Sequence, residues 1–295
     1  MGQAVEKLGR RIIISRMDME KEEARILNRR GYEVVRPLGE GAFSRVLLVR
    51  KRSDRLPQPK LVSGNLACKI CRQSNLGLQE GRLLQRMEHP LFPRFLGMWQ
   101  EGETVFLMME AVFGSSLEAL LKRRGAFTER QTARMGMELA VGLKYLHELP
   151  EPVLFRDVKP ANILIRQDGR IKLLDLGCAC RLGERAQSLA GTPGFGAPEQ
   201  LEAGHVLTAA CDVYGLGRTL RETVGKDCKR SFGRVLDACA REKAEIRIQD
   251  MREVLAQLEP FAKEGSNAER FRLKGGLRDP IVCVKNIWES SYKNT

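Results

Sequence analysis

The polar residues best suited to chemistry fall in one short segment near the middle of the chain. Asp157, Lys159 and Asn162 lie within residues 154–165, which are otherwise mostly apolar. A carboxylate such as Asp157 can accept the proton of an attacking hydroxyl, and the ammonium of Lys159 can neutralise a phosphate. The amide of Asn162 and the carboxylate of Asp175 offer the oxygen ligands that Mg²⁺ prefers. These residue types favour phosphoryl transfer.

A glycine-rich stretch nearer the N-terminus could bind the phosphates. It consists of Leu38, Gly39, Glu40, Gly41, Ala42, Phe43 and Ser44. Its bare backbone N–H groups can approach phosphate oxygens, although a short Gly-x-Gly motif is a weak signal by itself. Lys69 follows one strand later and could reach the α and β phosphates. Glu80, eleven residues further on in a predicted helix, could hold that ammonium by a charge-assisted hydrogen bond.

The elements that must position these residues change character along the chain. Apolar runs bounded by turn residues predict strands over 32–35, 46–49, 66–70 and 105–110. Helices are predicted over 18–30, 76–87 and about 210–224, 232–241 and 250–258, and Pro260 ends the packed pattern. Two more are predicted to begin at capping boxes, one at Ser115-x-x-Glu118 that runs to about Arg123 and one at Thr128-x-x-Gln131 that runs to about His147. The pattern predicts a β-rich part followed by a larger helical part.

The motifs resemble the signature set of the eukaryotic-like protein kinases in their order and spacing. The set consists of the glycine-rich stretch, Lys69, Glu80, the segment around Asp157, Asp175-Leu176-Gly177, and the run from Gly191 to Glu199. The resemblance covers roughly residues 32–258. It implies an α+β, bilobal fold, with a small antiparallel β-rich N-lobe containing one main helix and a larger α-helical C-lobe. It also implies a kinase domain over 32–259, with lobes 32–111 and 112–259, between a charged extension, 1–31, and a tail, 260–295.

The resemblance implies a role for each candidate residue. The expected catalytic residues are Asp157, Lys159, Lys69 and Glu80, and the expected Mg²⁺ ligands are Asn162 and Asp175. ATP is expected to contact Leu38, Gly39, Glu40, Gly41, Ala42, Phe43, Ser44, Val46, Ala67, Lys69, Met109, Glu110, Val112 and Leu164. Met109 would be the gatekeeper, and the backbones of Glu110 and Val112 would receive adenine. Structural roles fall to a Glu199–Arg247 pair, to Asp212 as anchor of the catalytic loop, and to an apolar stack of Phe95, Leu84, Leu176 and Phe155.

Three positions depart from the family pattern. Phe155 replaces the usual histidine before Arg-Asp, Leu176 replaces the usual Phe of the metal-binding turn, and Ser44 replaces a glycine. The first two keep an apolar side chain, and the third removes no catalytic group. We therefore expect an active enzyme and not a pseudokinase.

The acceptor class and a regulatory residue also follow from the resemblance. Lys159 and Thr192 resemble the serine/threonine class, so the expected partner is a protein substrate with a Ser or Thr hydroxyl. Thr192 is expected to contact the catalytic aspartate, which leaves Ser188 as the candidate for regulatory autophosphorylation. Arg156 and Arg181 are the expected partners of its phosphate.

Composition excludes several other classes. The chain has 295 residues with 50 Lys+Arg against 37 Asp+Glu, a net charge of +13, yet no aromatic-interleaved basic repeat accompanies this charge. We expect a solvated basic face, no nucleic-acid partner and no membrane partner. The eight cysteines are scattered, and Cys68 and Cys71 would point to opposite faces of a strand. These features indicate a reduced, cytoplasmic protein, and we expect a short, soluble bacterial member of the family.

Two other functions fit part of the sequence. One is a nucleotide-binding pseudokinase or scaffold that acts through protein interactions. The other is a small-molecule phosphotransferase, although that group lacks the Ala197-Pro198-Glu199 segment. Compared with the family pattern, a substrate-docking helix is missing between about 224 and 232. We expect the apolar run at 280–288 either to cover the exposed face that results, to recruit a partner there, or merely to pack as a C-terminal strand.

Overall fold

A computed structural model describes residues 19–41, 44–52, 65–186, 191–226 and 228–263. The expected roles of Ala42, Phe43 and Ser188, and of the apolar run at 280–288, therefore lie outside the described residues. The first part of the described chain is a β-rich lobe, and the second is a helical lobe. No helix among the described ranges is long and apolar enough to cross a bilayer.

The N-lobe is built on a five-stranded antiparallel sheet with strand order β1-β2-β3-β5-β4. Its strands are β1 (Tyr32–Glu40), β2 (Ser44–Lys51), β3 (Asn65–Cys71), β4 (Phe95–Glu101) and β5 (Thr104–Glu110). The four predicted strands are present and longer than predicted, whereas β4 was missed. Its run contains Gly97 and several half-exposed side chains, so it lacks the apolar pattern of its neighbours.

A helix covers each face of this sheet. Helix α1 (19–29), the predicted N-terminal helix, lies on the outer face, where Ile26 and Leu27 pack against side chains such as Phe106. Helix α2 (Ser74–Gln85) lies on the other face. Cys68 belongs to the outer cluster and Cys71 to the cluster near α2, so the predicted opposite orientation of the two thiols is confirmed. Burial on both faces explains why β3 is apolar almost throughout.

The C-lobe is helical around one large apolar core. Its helices are α3 (Leu117–Arg124), α4 (Glu129–His147), α5 (Pro198–Leu201), α6 (Ala210–Val224), α7 (Arg230–Cys239) and α8 (Met251–Lys263). Short strands fold the segment around Asp157 back between these helices, namely β6 (Ser115–Ser116), β7 (Val153–Leu154), β8 (Ile163–Ile165), β9 (Ile171–Leu173) and β10 (Cys180–Arg181). Strand β7 pairs with β10, and strand β8 pairs with both β6 and β9. These pairings fix both ends of the loop between β7 and β8.

Helix starts were predicted well, with one error. The capping box at Thr128 and Gln131 is present and begins α4. For α3, however, the cap is Ser116, whose hydroxyl accepts a hydrogen bond from the Ala119 N–H, so the box assigned to Ser115 is wrong. Ser115 is buried in β6, because pairing with β8 extends one residue further than the helical pattern suggested.

The predicted end of the last helix is also wrong. Helix α8 continues through Pro260 to Lys263. The Phe261 ring packs on Phe232 with ring centroids 4.9 Å apart, and Arg134 donates to the Ala262 carbonyl. These contacts offset the backbone hydrogen bond that proline cannot make.

Helix α6 passes almost directly into α7. Val224 ends the first and Arg230 begins the second, so residues 225–229 alone join them. The absence of a docking helix at this place was predicted from the sequence.

Candidate active site

The carboxylate of Asp157 is buried and held by three polar neighbours. Its Oδ1 accepts a hydrogen bond from the Thr192 hydroxyl at 2.7 Å, and its Oδ2 accepts one from the Asn162 amide at 2.9 Å. The Lys159 ammonium lies 2.9 Å from Oδ2 and donates to the Thr192 hydroxyl at 2.6 Å. The predicted contact between Thr192 and Asp157 is thus present, although 35 residues separate them in the chain. Asp157 has a fixed orientation, as a proton acceptor requires.

Asp212 of α6 fixes the backbone that presents Asp157. Its carboxylate accepts hydrogen bonds from the N–H groups of Phe155 at 2.9 Å and Arg156 at 2.7 Å, and lies 2.8 Å from His147 Nε2. Arg156 has a positive φ of 69°, a conformation that non-glycine residues adopt only under constraint. The buried Asp212 carboxylate provides that constraint, as the sequence predicted.

Lys69 connects the sheet, helix α2 and the turn of residues 175–177. Its Nζ lies 2.8 and 2.6 Å from the two carboxylate oxygens of Glu80 and 2.7 Å from Asp175 Oδ1. Burial opposes the charge of Lys69, but the carboxylates of Asp175 and Glu80 outweigh it and raise the pKa of the ammonium. For Asp175 burial works in the raising direction, yet Lys69 and the Gly177 N–H keep the pKa of this carboxyl below its ordinary value. Both groups are therefore charged at neutral pH.

The side chains of Asn162 and Asp175 have the chemistry to hold a magnesium ion. The amide nitrogen of Asn162 donates hydrogen bonds to Asp157. The buried amide oxygen, Oδ1, has no hydrogen-bond partner among the described residues and could bind a metal ion. Asp175 has a positive φ of 70°, which a hydrogen bond from the Gly177 N–H to its Oδ1 supports. An amide oxygen and a carboxylate suit Mg²⁺, which takes its other ligands from water and substrate phosphates. The described ranges contain no cluster of three Cys, His, Asp or Glu side chains able to hold a metal ion.

A cleft between the lobes contains most of the residues expected to bind ATP. It is lined by Leu38, Gly39, Glu40, Gly41, Ser44, Val46, Ala67, Lys69, Glu80, Pro93, Met109, Glu110, Val112, Leu174 and Asp175. Leu164 is not among them, since it is buried in β8 and packs against Gly114. Pro93 and Leu174 were not predicted. No motif marks either residue, and only the folding of the chain brings them to the cleft.

Glu110 links the two lobes at the back of this cleft. Its carboxylate accepts a hydrogen bond from the buried Lys172 at 2.9 Å and another from the Arg94 N–H at 3.3 Å. Its own N–H donates to the Arg94 carbonyl at 2.9 Å and is therefore not available to adenine. The side chain of Glu110 thus holds the segment between the lobes against both of them.

The predicted pair of Glu199 and Arg247 is present, and the residues of the expected apolar stack lie in one core cluster. Arg247 is buried and binds Glu199 with NH1–Oε1 and NH2–Oε2 distances of 2.5 and 3.1 Å. The four residues of the expected apolar stack belong to one core cluster, with Leu84, Phe155 and Leu176 buried and Phe95 half-buried. Replacement of the usual His and Phe by Phe155 and Leu176 therefore leaves the core filled.

Cys178 directly follows the turn of residues 175–177, beside the candidate site, where a reactive thiol could affect nucleotide binding. Burial, together with the nearby carboxylates of Asp157 and Asp175, raises its pKa to about 12. A thiol in this state is a weak nucleophile at neutral pH. The structure therefore favours a space-filling role for Cys178 over a reactive one.

A β-rich lobe above a helical lobe, with the lysine–glutamate pair above the cleft and Asp157 and Asn162 below it, is the architecture of the protein-kinase class. A family model described as protein kinase domain matches residues 32–259. The chain belongs to the protein kinase family.

Curated relatives agree with this assignment. A mitogen-activated protein kinase kinase kinase 2 of Arabidopsis thaliana is 36% identical over 198 residues, which cover 63% of this chain and 30% of the relative. The human cAMP-dependent protein kinase catalytic subunit PRKX is 31% identical, covering 63% of this chain and 51% of the relative. A serine/threonine-protein kinase akt-1 of Caenorhabditis elegans is 27% identical, covering 89% and 50%. The chain spans about half or less of the length of these relatives.

Proposed function

We propose that this chain is an ATP-dependent serine/threonine protein kinase that transfers the γ-phosphate of Mg-ATP to Ser or Thr hydroxyls of protein substrates. The observation that supports this most strongly is the shared hydrogen-bond network of Asp157, Lys159 and Thr192. Thr192 bridges the catalytic carboxylate to the lysine, so the acceptor hydroxyl would meet a fixed base beside a fixed positive charge. The serine/threonine kinases among the relatives support the same acceptor class.

Each site residue then has a task. Lys69, held by Glu80, would bind the α and β phosphates, and the glycine-rich backbone would cover them. Asn162 and Asp175 would hold Mg²⁺, which supplies neutralisation of the phosphate charge when it is bound. Asp157 would orient the acceptor hydroxyl and take its proton, and Lys159 would stabilise the negative charge on the phosphoryl group.

Phosphate transfer to a generic Ser/Thr peptide tests this proposal. With Mg-ATP, Asp157→Asn and Asp175→Asn are each expected to lower the rate at least 10²-fold, about 3 kcal/mol of transition-state free energy, with a nearly unchanged melting curve. Asp237→Asn is the matched control, because Asp237 is exposed on α7 and its change should leave the rate unaltered. Near-normal transfer by Asp175→Asn would contradict the metal role.

Phosphoamino-acid analysis of the labelled peptide distinguishes the acceptor class. Phosphoserine and phosphothreonine without phosphotyrosine are expected. If the wild-type chain binds nucleotide but transfers no phosphate to any peptide, the pseudokinase or scaffold function replaces this one.

A further inference from the structure

Helix α1 contains a buried carboxylate. Glu23 is only 6% exposed, while most other side chains of the helix are exposed or half-buried. Glu23, Ile26 and Leu27 are spaced so that they form one face of the helix, and this face packs on the sheet. The two apolar residues join the core of the N-lobe. A carboxylate in the same contact face needs a partner, because burying it costs free energy.

The partners of Glu23 lie at two separate places in the N-lobe, one in β2 and one just after β3. Arg45 NH1 donates to Glu23 Oε2 at 3.1 Å, and Arg72 NH2 donates to Glu23 Oε1 at 3.5 Å. Arg45 is itself buried and lies 3.3 Å from Glu20 as well. One carboxylate therefore joins two guanidinium groups that are 27 positions apart in the chain.

Arg45 connects this cluster to the glycine-rich loop. It directly follows Ser44, where β2 begins after the loop, and pairs in the sheet with Glu40 and Ile70. The loop closes by a hydrogen bond from the Gly41 N–H to the Ser44 carbonyl at 2.7 Å. A constraint on Arg45 is therefore a constraint on the last residue of the turn that would cover the phosphates.

Arg72 connects the same carboxylate to the Lys69–Glu80 pair. It lies between the end of β3 and the start of α2, three residues after Lys69. Glu23 thus adds a side-chain link between β2 and the strand–helix junction, beside the backbone pairing of Arg45 with Ile70. The link ends next to the two groups that would contact the phosphates, because Arg45 directly follows Ser44 and Arg72 lies three residues after Lys69.

Stability alone is a poor explanation for this cluster. Burial raises the pKa of Glu23 even though Arg45 and Arg72 act in the opposite direction, so desolvation outweighs the attraction to its partners. Buried ion pairs are often no more stabilising than apolar side chains of similar size, whereas their geometry is specific. The carboxylate fixes orientation where an additional leucine would only fill space.

We propose that Glu23 is a positioning residue for the nucleotide: through Arg45 and Arg72, it fixes Ser44, where the glycine-rich stretch enters β2, relative to Lys69. Helix α1 lies before residue 32, where the match to the family model begins, so Glu23 lies outside the matched domain. The inference rests on the proposed ATP-dependent function. It predicts that loosening α1 weakens nucleotide binding without affecting the acceptor peptide.

The primary test compares two isosteric changes on one helix in the full chain. Glu23→Gln removes the buried charge, and Glu22→Gln is the matched control, because Glu22 is exposed and contacts Arg25 and Arg29 of the same helix. We expect Glu23→Gln to raise the KM for ATP and the Kd for Mg-ADP about fivefold or more. The KM for peptide should stay within twofold, and Glu22→Gln should match wild type in all three.

A second variant separates positioning from stability. The triple change Glu23→Met, Arg45→Met and Arg72→Met replaces the ion cluster by apolar side chains and is expected to keep the melting temperature near wild type. It should still show the weakened nucleotide binding. Normal nucleotide binding by the stable triple variant, or an equal rise in the KM for ATP and peptide, overturns the proposal.

Hydrogen exchange tests the link from Glu23 to Arg45 and Arg72 in the absence of nucleotide. Amides of residues 38–46 should exchange faster in Glu23→Gln than in Glu22→Gln, with unchanged exchange in β5. Unchanged exchange at 38–46, or faster exchange throughout the N-lobe, overturns the proposal. Because this measurement needs no turnover, it tests the role of Glu23 even if the wild-type chain is inactive. An inactive wild-type chain would refute the proposed function and not the positioning role of Glu23.

Discussion

At the scale of single residues, the two hydroxyl groups of the segment before Ala197-Pro198-Glu199 have different expected fates. Thr192 is 6% exposed and its hydroxyl is engaged by both Asp157 and Lys159. A hydroxyl in this network is needed for the geometry of the site and is poorly accessible as a phosphate acceptor. Ser188 remains the expected site of autophosphorylation.

Incubation with Mg-ATP followed by mass spectrometry checks this expectation. Phosphate should appear on Ser188, where arginines such as Arg156 and Arg181 can bind the added charge. It should not appear on Thr192, because that hydroxyl is buried and engaged by Asp157 and Lys159. Asp157→Asn serves as the control and should show no phosphate. Full wild-type activity with Ser188 unmodified would leave Arg156 with a structural role alone.

At the scale of elements, the position of α2 depends on small residues that face the sheet. A Cβ atom on Gly77 would lie 2.8 Å from the Cβ atoms of both Cys71 and Val105, which are fixed in strands. Glu80 lies one turn later and must stay within 2.6 to 2.8 Å of Lys69. The glycine therefore permits the approach that the ion pair requires.

Gly77→Ala is expected to lower activity although alanine favours helix formation. The added methyl should push α2 outward, costing about 1–3 kcal/mol of stability by overpacking and reducing kcat/KM about tenfold or more. Asn75→Ala is the control, since Asn75 is exposed on the same helix and its change should leave kcat/KM unaltered. Calorimetry and steady-state kinetics check both; wild-type activity of Gly77→Ala would contradict the argument.

At the scale of the whole molecule, buried ion pairs join parts of the chain that are distant in sequence. Glu110 joins the two lobes through Lys172, and Glu199 joins the short helix α5 to Arg247 near the start of α8. Burial raises the pKa of Glu199, but the hydrogen bonds and charge of Arg247 outweigh burial, so the pKa lies below its usual 4.5. The folded state therefore binds a proton at Glu199 less readily than the unfolded state.

The pH dependence of unfolding follows from this sign. The contribution of Glu199 should be present above about pH 4.5 and should be lost as the pH falls through the lower folded-state pKa. Glu199→Gln should thus cost stability at pH 7, and its deficit relative to wild type should shrink in acid. Denaturant unfolding between pH 7 and 3 measures this. Glu202→Gln is the exposed control, and a deficit that stays constant with pH would refute the assignment.

The sequence by itself was sufficient to predict the general fold and to select the residues of the candidate site. Asp157, Asn162 and Asp175 stand in short motifs whose residue types indicate phosphoryl transfer. The spacing of apolar residues predicts strands and helices locally. The order of these motifs also predicted contacts of the family, such as Glu199 with Arg247. Even the short link between α6 and α7 could be read from the spacing of helical patterns.

Only the tertiary structure decided which residues without a motif join the site. Pro93 and Leu174 line the cleft, Lys172 binds Glu110, and Glu23 reaches Arg45 and Arg72 because separate elements pack together. Packing likewise continued α8 past Pro260 against its local preference. Local propensity determines elements within a few residues, whereas contacts across tens of residues depend on how side chains share buried space, which no short pattern specifies.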